Sequence, residues 1–157
     1  MTAKQFLISE TLRATDSLFE AARKVPADKL EWSPLDNGRT VLDQVQECAQ
    51  SPTWGMSVVK AGKFEWTPEM MQKVMEERKQ WTTIDQCESV CKQNVDELVS
   101  FINSVPDEDL EKTIEIPFGK NPNWKVADIL HLHAWNATYH TGQINFIQTL
   151  YGDKSMG

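Results

Sequence analysis

Cysteine is scarce and unpaired in this sequence: it occurs at positions 48, 87 and 91, and no two form a CxxC pair. An odd number without paired spacing excludes a disulfide framework and a zinc ribbon, and the bland expectation is that all three thiols are small buried hydrophobes. Cys87 and Cys91, four residues apart, would share a helix face, which half of a metal or redox site could use. Basic clusters are missing too, with nothing longer than Arg23-Lys24, and 16 Lys+Arg against 23 Asp+Glu leave a formal net charge of −7. Such a surface repels phosphate backbones and anionic headgroups, so neither nucleic acid nor membrane is expected as a partner. No run approaches the ~18 apolar residues of a membrane span. The opening MTAKQFLISETLRA is interrupted by polar and acidic residues too early for a signal-peptide core, so a cytoplasmic protein is expected. Phosphate loops, nucleophile elbows, dinucleotide fingerprints and internal repeats are also absent.

What is present describes one globular domain spanning residues 1–157. The hydrophobic share of 40% and charged share of 25% argue against disorder, and six tryptophans supply large apolar surfaces suited to a core, a pocket or an interface.

Apolar spacing predicts a first amphipathic helix over residues 3–24, carried by Leu7, Ile8, Leu12, Leu18, Phe19 and Ala22 and ended by Val25-Pro26. PADKLEWSPLDNGRT is too rich in turn residues for regular structure. Thr40 with Asp43 offers a variant capping box for a second helix running to about Gly62, in which Pro52 predicts a kink or a restart. Thr67-Pro68-Glu69 starts a short helix ending near Lys79, with Met70, Met71 and Met75 expected as core or a flexible lid. A third long helix covers about Ile84 to Asn103. KTIEIPFGKNPNWK reads as an extended or hairpin connection lying across the bundle. A last long helix runs from Lys125 to about Tyr151, stopped by Gly152. The fold class expected is all-α: a four-helix bundle with a short extra helix after the second and an extended crossover before the last.

The histidines carry the chemical interest, because all three fall within HLHAWNATYH, positions 131–140. On a helix, His133, Asn136 and His140 lie on one stripe with Ile129, Gln143 and Ile147, while His131 points elsewhere and is expected to be exposed. About 10 Å of helix rise separates His133 from His140, too far for one metal ion, whereas Asn136 and His140 are one turn apart. By spacing alone the ordinary reading is a buried imidazole satisfied by a neighbouring side chain or carbonyl.

The stretch EWSPLDNGRTVLDQVQEC, from Glu31 to Cys48, and NATYHTGQI, from Asn136 to Ile144, resemble the DinB/YfiT-like family of bacterial four-helix proteins along essentially the whole chain. His140-Thr141-Gly142-Gln143-Ile144 is the most specific piece, matching that family's recurring His-x-Gly-Gln-Ile. The resemblance implies a divalent metal, commonly nickel or zinc, held by one histidine on the second helix and two spaced four apart on the last. Carried onto this sequence, the three ligand positions are Glu47, Asn136 and His140, so two of the three imidazoles are replaced. A carboxylate is an acceptable zinc or nickel ligand and a carboxamide oxygen a poor one, so the ion is expected to be weakly held or absent. Glu47 lies well round the helix from Val41, Val45 and Cys48, but lines up with Ser51, Trp54 and Val58.

Two functions follow from the resemblance. The preferred one is a non-catalytic binding or stress-associated module, homodimeric through its helix faces. The alternative is a metal-dependent thiol S-transferase or isomerase acting on a small-molecule thiol, with His140 as anchoring ligand, Glu47 as second ligand or base, Asn136 as weak ligand or orienting donor, and Gln143 supporting them.

Overall fold

The structure, a computed structural model, describes residues 1–155. Five α-helices account for most of it: α1 (Ala3–Arg23), α2 (Val41–Ala61), α3 (Pro68–Arg78), α4 (Ile84–Ser104) and α5 (Val126–Leu150). Strands β1 (Thr113–Glu115) and β2 (Asn123–Lys125) form an antiparallel hairpin between α4 and α5, with Ile114 opposite Trp124. Among the described residues, no helix is long and apolar enough to cross a membrane.

Local chemistry explains the helix starts. Thr2 with Gln5, and Thr83 with Gln86, form reciprocal capping boxes, each satisfying two backbone donors at a helix mouth. Thr40 completes only half of such a box: its hydroxyl accepts from the Asp43 N–H at 3.1 Å, while the Asp43 carboxylate turns to Arg39 at 2.6 Å. Helix α2 continues through Pro52 without restarting. A proline there cannot donate to the carbonyl four residues earlier, and that carbonyl, on Cys48, is instead met by the Ser51 hydroxyl at 3.1 Å and the Cys91 thiol at 3.4 Å. All three cysteines are buried thiols.

Helix α1 packs mainly on α5 and α4, and α2 packs on α4 and α5, so the four long helices form a ring in the order α1, α5, α2, α4. Two apolar clusters fill it, and their membership sets the helix directions. The N-terminal parts of α2 and α4 and the C-terminal parts of α1 and α5 share one cluster; Leu7, Met56, Leu98, Ile102, Ile129 and Leu130 belong to the other. Helices α2 and α4 therefore run parallel, opposite to α1 and α5. The segment that returns the chain along the bundle is α3, not the stretch before the last helix. That stretch folds out and back at one end, where Val126 N–H donates to the Lys112 carbonyl at 2.8 Å.

Other expectations shift with burial. No residue of α3 is buried, and Met70, Met71 and Met75 are exposed, so they are not core. Leu12, on the outer face of α1, is 43% exposed. His131 is half-buried, not exposed, because its ring stacks on Phe6 with centroids 6.1 Å apart.

Candidate functional site

A polar layer lies where the two apolar clusters meet. His133, only 2% exposed, has Nδ1 2.6 Å from the Ser51 hydroxyl and Nε2 2.9 Å from the Thr15 hydroxyl. With the Ser51 hydrogen given to the Cys48 carbonyl, a neutral ring is satisfied when Nδ1–H donates to Ser51 and Nε2 accepts from Thr15. Burial pushes its pKa down to about 4, since a charged ring would lose its water here. This is a satisfied interior imidazole, the ordinary reading of its spacing.

Two turns along α5, His140 is 1% exposed and differently surrounded. Its Nδ1 faces the amide oxygens of Gln44 at 3.0 Å and Gln143 at 2.8 Å, and Nε2 is turned toward the opposite wall of the site. There it meets Glu47, whose Oε1 lies 3.5 Å from His140 Nε2 and accepts from Asn136 Nδ2 at 3.3 Å. The other carboxylate oxygen, Oε2, pairs with Arg39 at 2.7 Å and lies 3.9 Å from Arg78. The contact with His140, helped by the Arg39 charge, holds the Glu47 carboxyl down at about 2 against the opposing effect of burial.

Positioning starts in the loop before α2. Ser33 donates to the Gly38 carbonyl and Gly38 N–H to the Pro34 carbonyl, both at 2.7 Å, closing a tight ring in which Leu35 and Asp36 hold positive φ of 54° and 65°. A Cβ on Gly38 would stand 2.5 Å from Pro34. The ring delivers Arg39 at the mouth of α2, one and two turns from Asp43 and Glu47 on the same face.

Glu47, Asn136 and His140 are thus brought together as the family resemblance required, but their chemistry does not fit a resident zinc or nickel ion. Glu47 Oε2 is already neutralised by a guanidinium, Asn136 presents its N–H2 end, and a second guanidinium approaches from Arg78. Among the described residues, no group of three or more His, Cys, Asp or Glu side chains could hold a metal ion. His140 Nε2 and Glu47 Oε1 are two donors where such sites take at least three.

Beyond Glu47 the site opens into a cavity of about 470 Å³ between α2, α3, α5 and the hairpin. Trp54, Trp66, Trp135, Phe118, Met70, Val74 and Leu132 line its apolar walls; Glu47, Gln50, Ser51, Glu77, Arg78 and Asn136 line its polar end. A second cavity, of about 480 Å³, lies at the hairpin end of the bundle beside Val59, Phe101 and Ile114. Buried Gln50 holds α3 against the rest: its amide donates to the Val74 carbonyl at 3.2 Å and to Glu77 at 2.7 Å, and its oxygen accepts from Arg78 Nε at 2.6 Å.

Sequence reasoning left out Arg39, Gln44, Gln50 and Arg78 as working parts of the site. The spacing of Arg39, Asp43 and Glu47, four residues each, was a usable signal. Nothing local marks Arg78, which reaches the site only because α3 folds back.

No family model matches the chain, and no curated protein matches it in sequence. Solved structures do match in fold. An uncharacterised protein from Clostridium difficile 630 superposes with a TM-score of 0.72 at 14% identity, covering 94% of this chain and 96% of that one. The colibactin self-resistance protein ClbS, in complex with double-stranded DNA, gives 0.70 at 17% identity over 93% and 95%. A DinB-like protein, YjoA, from Bacillus subtilis gives 0.65 at 17% identity over 96% and 94%. The chain therefore has the DinB-like fold. A DNA complex among these neighbours runs against the expectation of no nucleic-acid partner, which rests on net charge and not on the fold.

Proposed function

We propose that this chain is a small-molecule binding module in which an internal ion-pair network occupies the position of a resident metal, with the ligand taken into the aromatic cavity beside that network. One observation carries the reading: the Glu47 carboxylate already has a cation, Arg39, at 2.7 Å, and a donor, Asn136, at 3.3 Å. A dication would have to displace or outweigh both. The cavity of about 470 Å³ lies within the range of about 300–1,000 Å³ usual for small-ligand sites, and its wall of aromatic side chains with a few polar groups at one end is the usual composition.

Elemental analysis of the purified chain, before and after dialysis against zinc and nickel, tests this. Metal below roughly 0.1 ion per chain after loading is expected. Stoichiometric metal would overturn the reading and restore the metal-dependent thiol transferase or isomerase.

A DNA-binding role is favoured by the DNA complex of ClbS and opposed by this chain's net charge of −7. Titration of a labelled duplex at physiological salt is expected to show no binding. We also propose a homodimer through the outer face of α5, where Tyr139 and Phe146 are exposed at 51% and 59%. Its mass by light scattering is expected to be twice that of the chain.

A further inference from the structure

Arg78 is the cation lining the cavity, and most of its hydrogen-bonding capacity is unused. Its side chain is only 16% exposed, yet Nε–H is its one donor with a close oxygen partner, Gln50 at 2.6 Å. Nη1 has the Met75 sulfur at 3.8 Å and Glu47 at 3.9 Å, both long. Glu47 cannot serve as its full counter-ion, because that carboxylate is closest to Arg39 and also meets Asn136 and His140. Glu77, the other acid at this end, is exposed to water and accepts from Gln50. A guanidinium with its charge largely out of water and its outer fork free is a carboxylate receptor, since a planar anion can take two parallel N–H bonds from it.

The rest of the cavity selects the body of the ligand. Trp54 and Phe118 stand with ring centroids 6.4 Å apart, and Trp66 and Trp135 add two more flat faces to the same lining.

Building on the binding-module reading above, we infer that the ligand is a flat, apolar carboxylate whose anion seats on the outer fork of Arg78 and whose ring system lies among Trp54, Trp66, Trp135 and Phe118. Arg78 is then the specificity-determining residue, and α3, which carries it, becomes better ordered when the site is filled.

Three probes of one shape and different charge test this on the intact chain: 2-naphthoate, 2-naphthamide and 2-naphthylmethylammonium, titrated by calorimetry, with the tryptophan indole N–H resonances as the site reporter. Naphthoate is expected to bind about tenfold more tightly than the amide, with the ammonium weakest. Arg78→Gln is expected to abolish the advantage of naphthoate while leaving amide binding in place. Arg78→Lys, which keeps the charge but not the fork, is expected to retain part of it. Equal affinity of acid and amide for the native chain overturns the carboxylate assignment and leaves the cavity as a binding site. Tightest binding of the ammonium overturns it in favour of Glu47 and Glu77 as the anchor. Binding of none of the three removes the binding-module reading as well.

Discussion

Gly55 of α2 crosses α5 so closely at Ile129 that a Cβ placed on it would stand 2.7 Å from the Ile129 carbonyl oxygen. That approach sets the spacing of the two helices carrying Glu47 and His140. It holds because the contacting atom is backbone and cannot swing aside.

Gly55→Ala should therefore destabilise the fold by about 1–3 kcal/mol, the cost of overpacking a rigid contact. Gly142→Ala, on α5 with nothing within 4 Å of its added Cβ, should instead stabilise by about 0.5–1 kcal/mol, by reducing the freedom of the unfolded chain. Urea denaturation of both variants checks the pair, and equal effects would show that the close crossing is not needed.

Acid should unfold the protein in two separable stages. His133 titrates at 6.5 when unfolded and about 4 when folded, so the unfolded chain binds more protons between those values. Stability is then fully present above pH 6.5 and declines by up to about 3 kcal/mol as pH falls to 4. Glu47 is depressed from 4.5 to about 2, so its contribution is present above pH 4.5 and lost as pH falls through 2. Denaturation midpoints against pH should lose the upper stage in His133→Gln and the lower stage in Glu47→Gln.

Restoring imidazole at the two replaced positions should create a zinc site. Glu47 Oε1 lies 3.3 Å from Asn136 Nδ2 and 3.5 Å from His140 Nε2, each close to the distance between neighbouring ligand atoms on one tetrahedral ion. Glu47→His combined with Asn136→His should take up about one zinc per chain, measured by elemental analysis, where the native chain takes up far less. Failure of a folded double variant to bind zinc would show that the helix geometry, and not the ligand identity, sets metal content.

Gln50 is the hinge pin of α3, with three hydrogen bonds to it and none of that helix's own residues buried. Gln50→Ala should leave the four-helix core intact and raise amide exchange across residues 67–79 by about tenfold, near 1.4 kcal/mol of local stability. An unchanged exchange rate there would mean that α3 is held by its apolar contacts alone.

Helix periodicity and capping residues were enough to read every long helix, because α1, α4 and α5 each carry a buried apolar stripe and all four, α2 included, begin or end at a recognisable turn residue. The stripe of His133, Asn136 and His140 was legible for the same reason. Pro52 leaves a kink or a restart open in the sequence, and the helix does not restart, since the repair comes from Ser51 and from Cys91 on another helix, and only the first of those is a sequence neighbour. Glu47 was ambiguous because its own helix offers two faces, and only the packing of α2 on α5 decides which is covered.

By itself, then, the sequence determined where helices form and which side chains share a face, both being consequences of bonds and spacings within a few residues. Tertiary structure alone decided that α3 returns alongside the bundle, that Arg39 and Arg78 converge on one carboxylate, and that a cavity opens beside it. Those outcomes depend on contacts between segments tens of residues apart, whose distances no local pattern encodes.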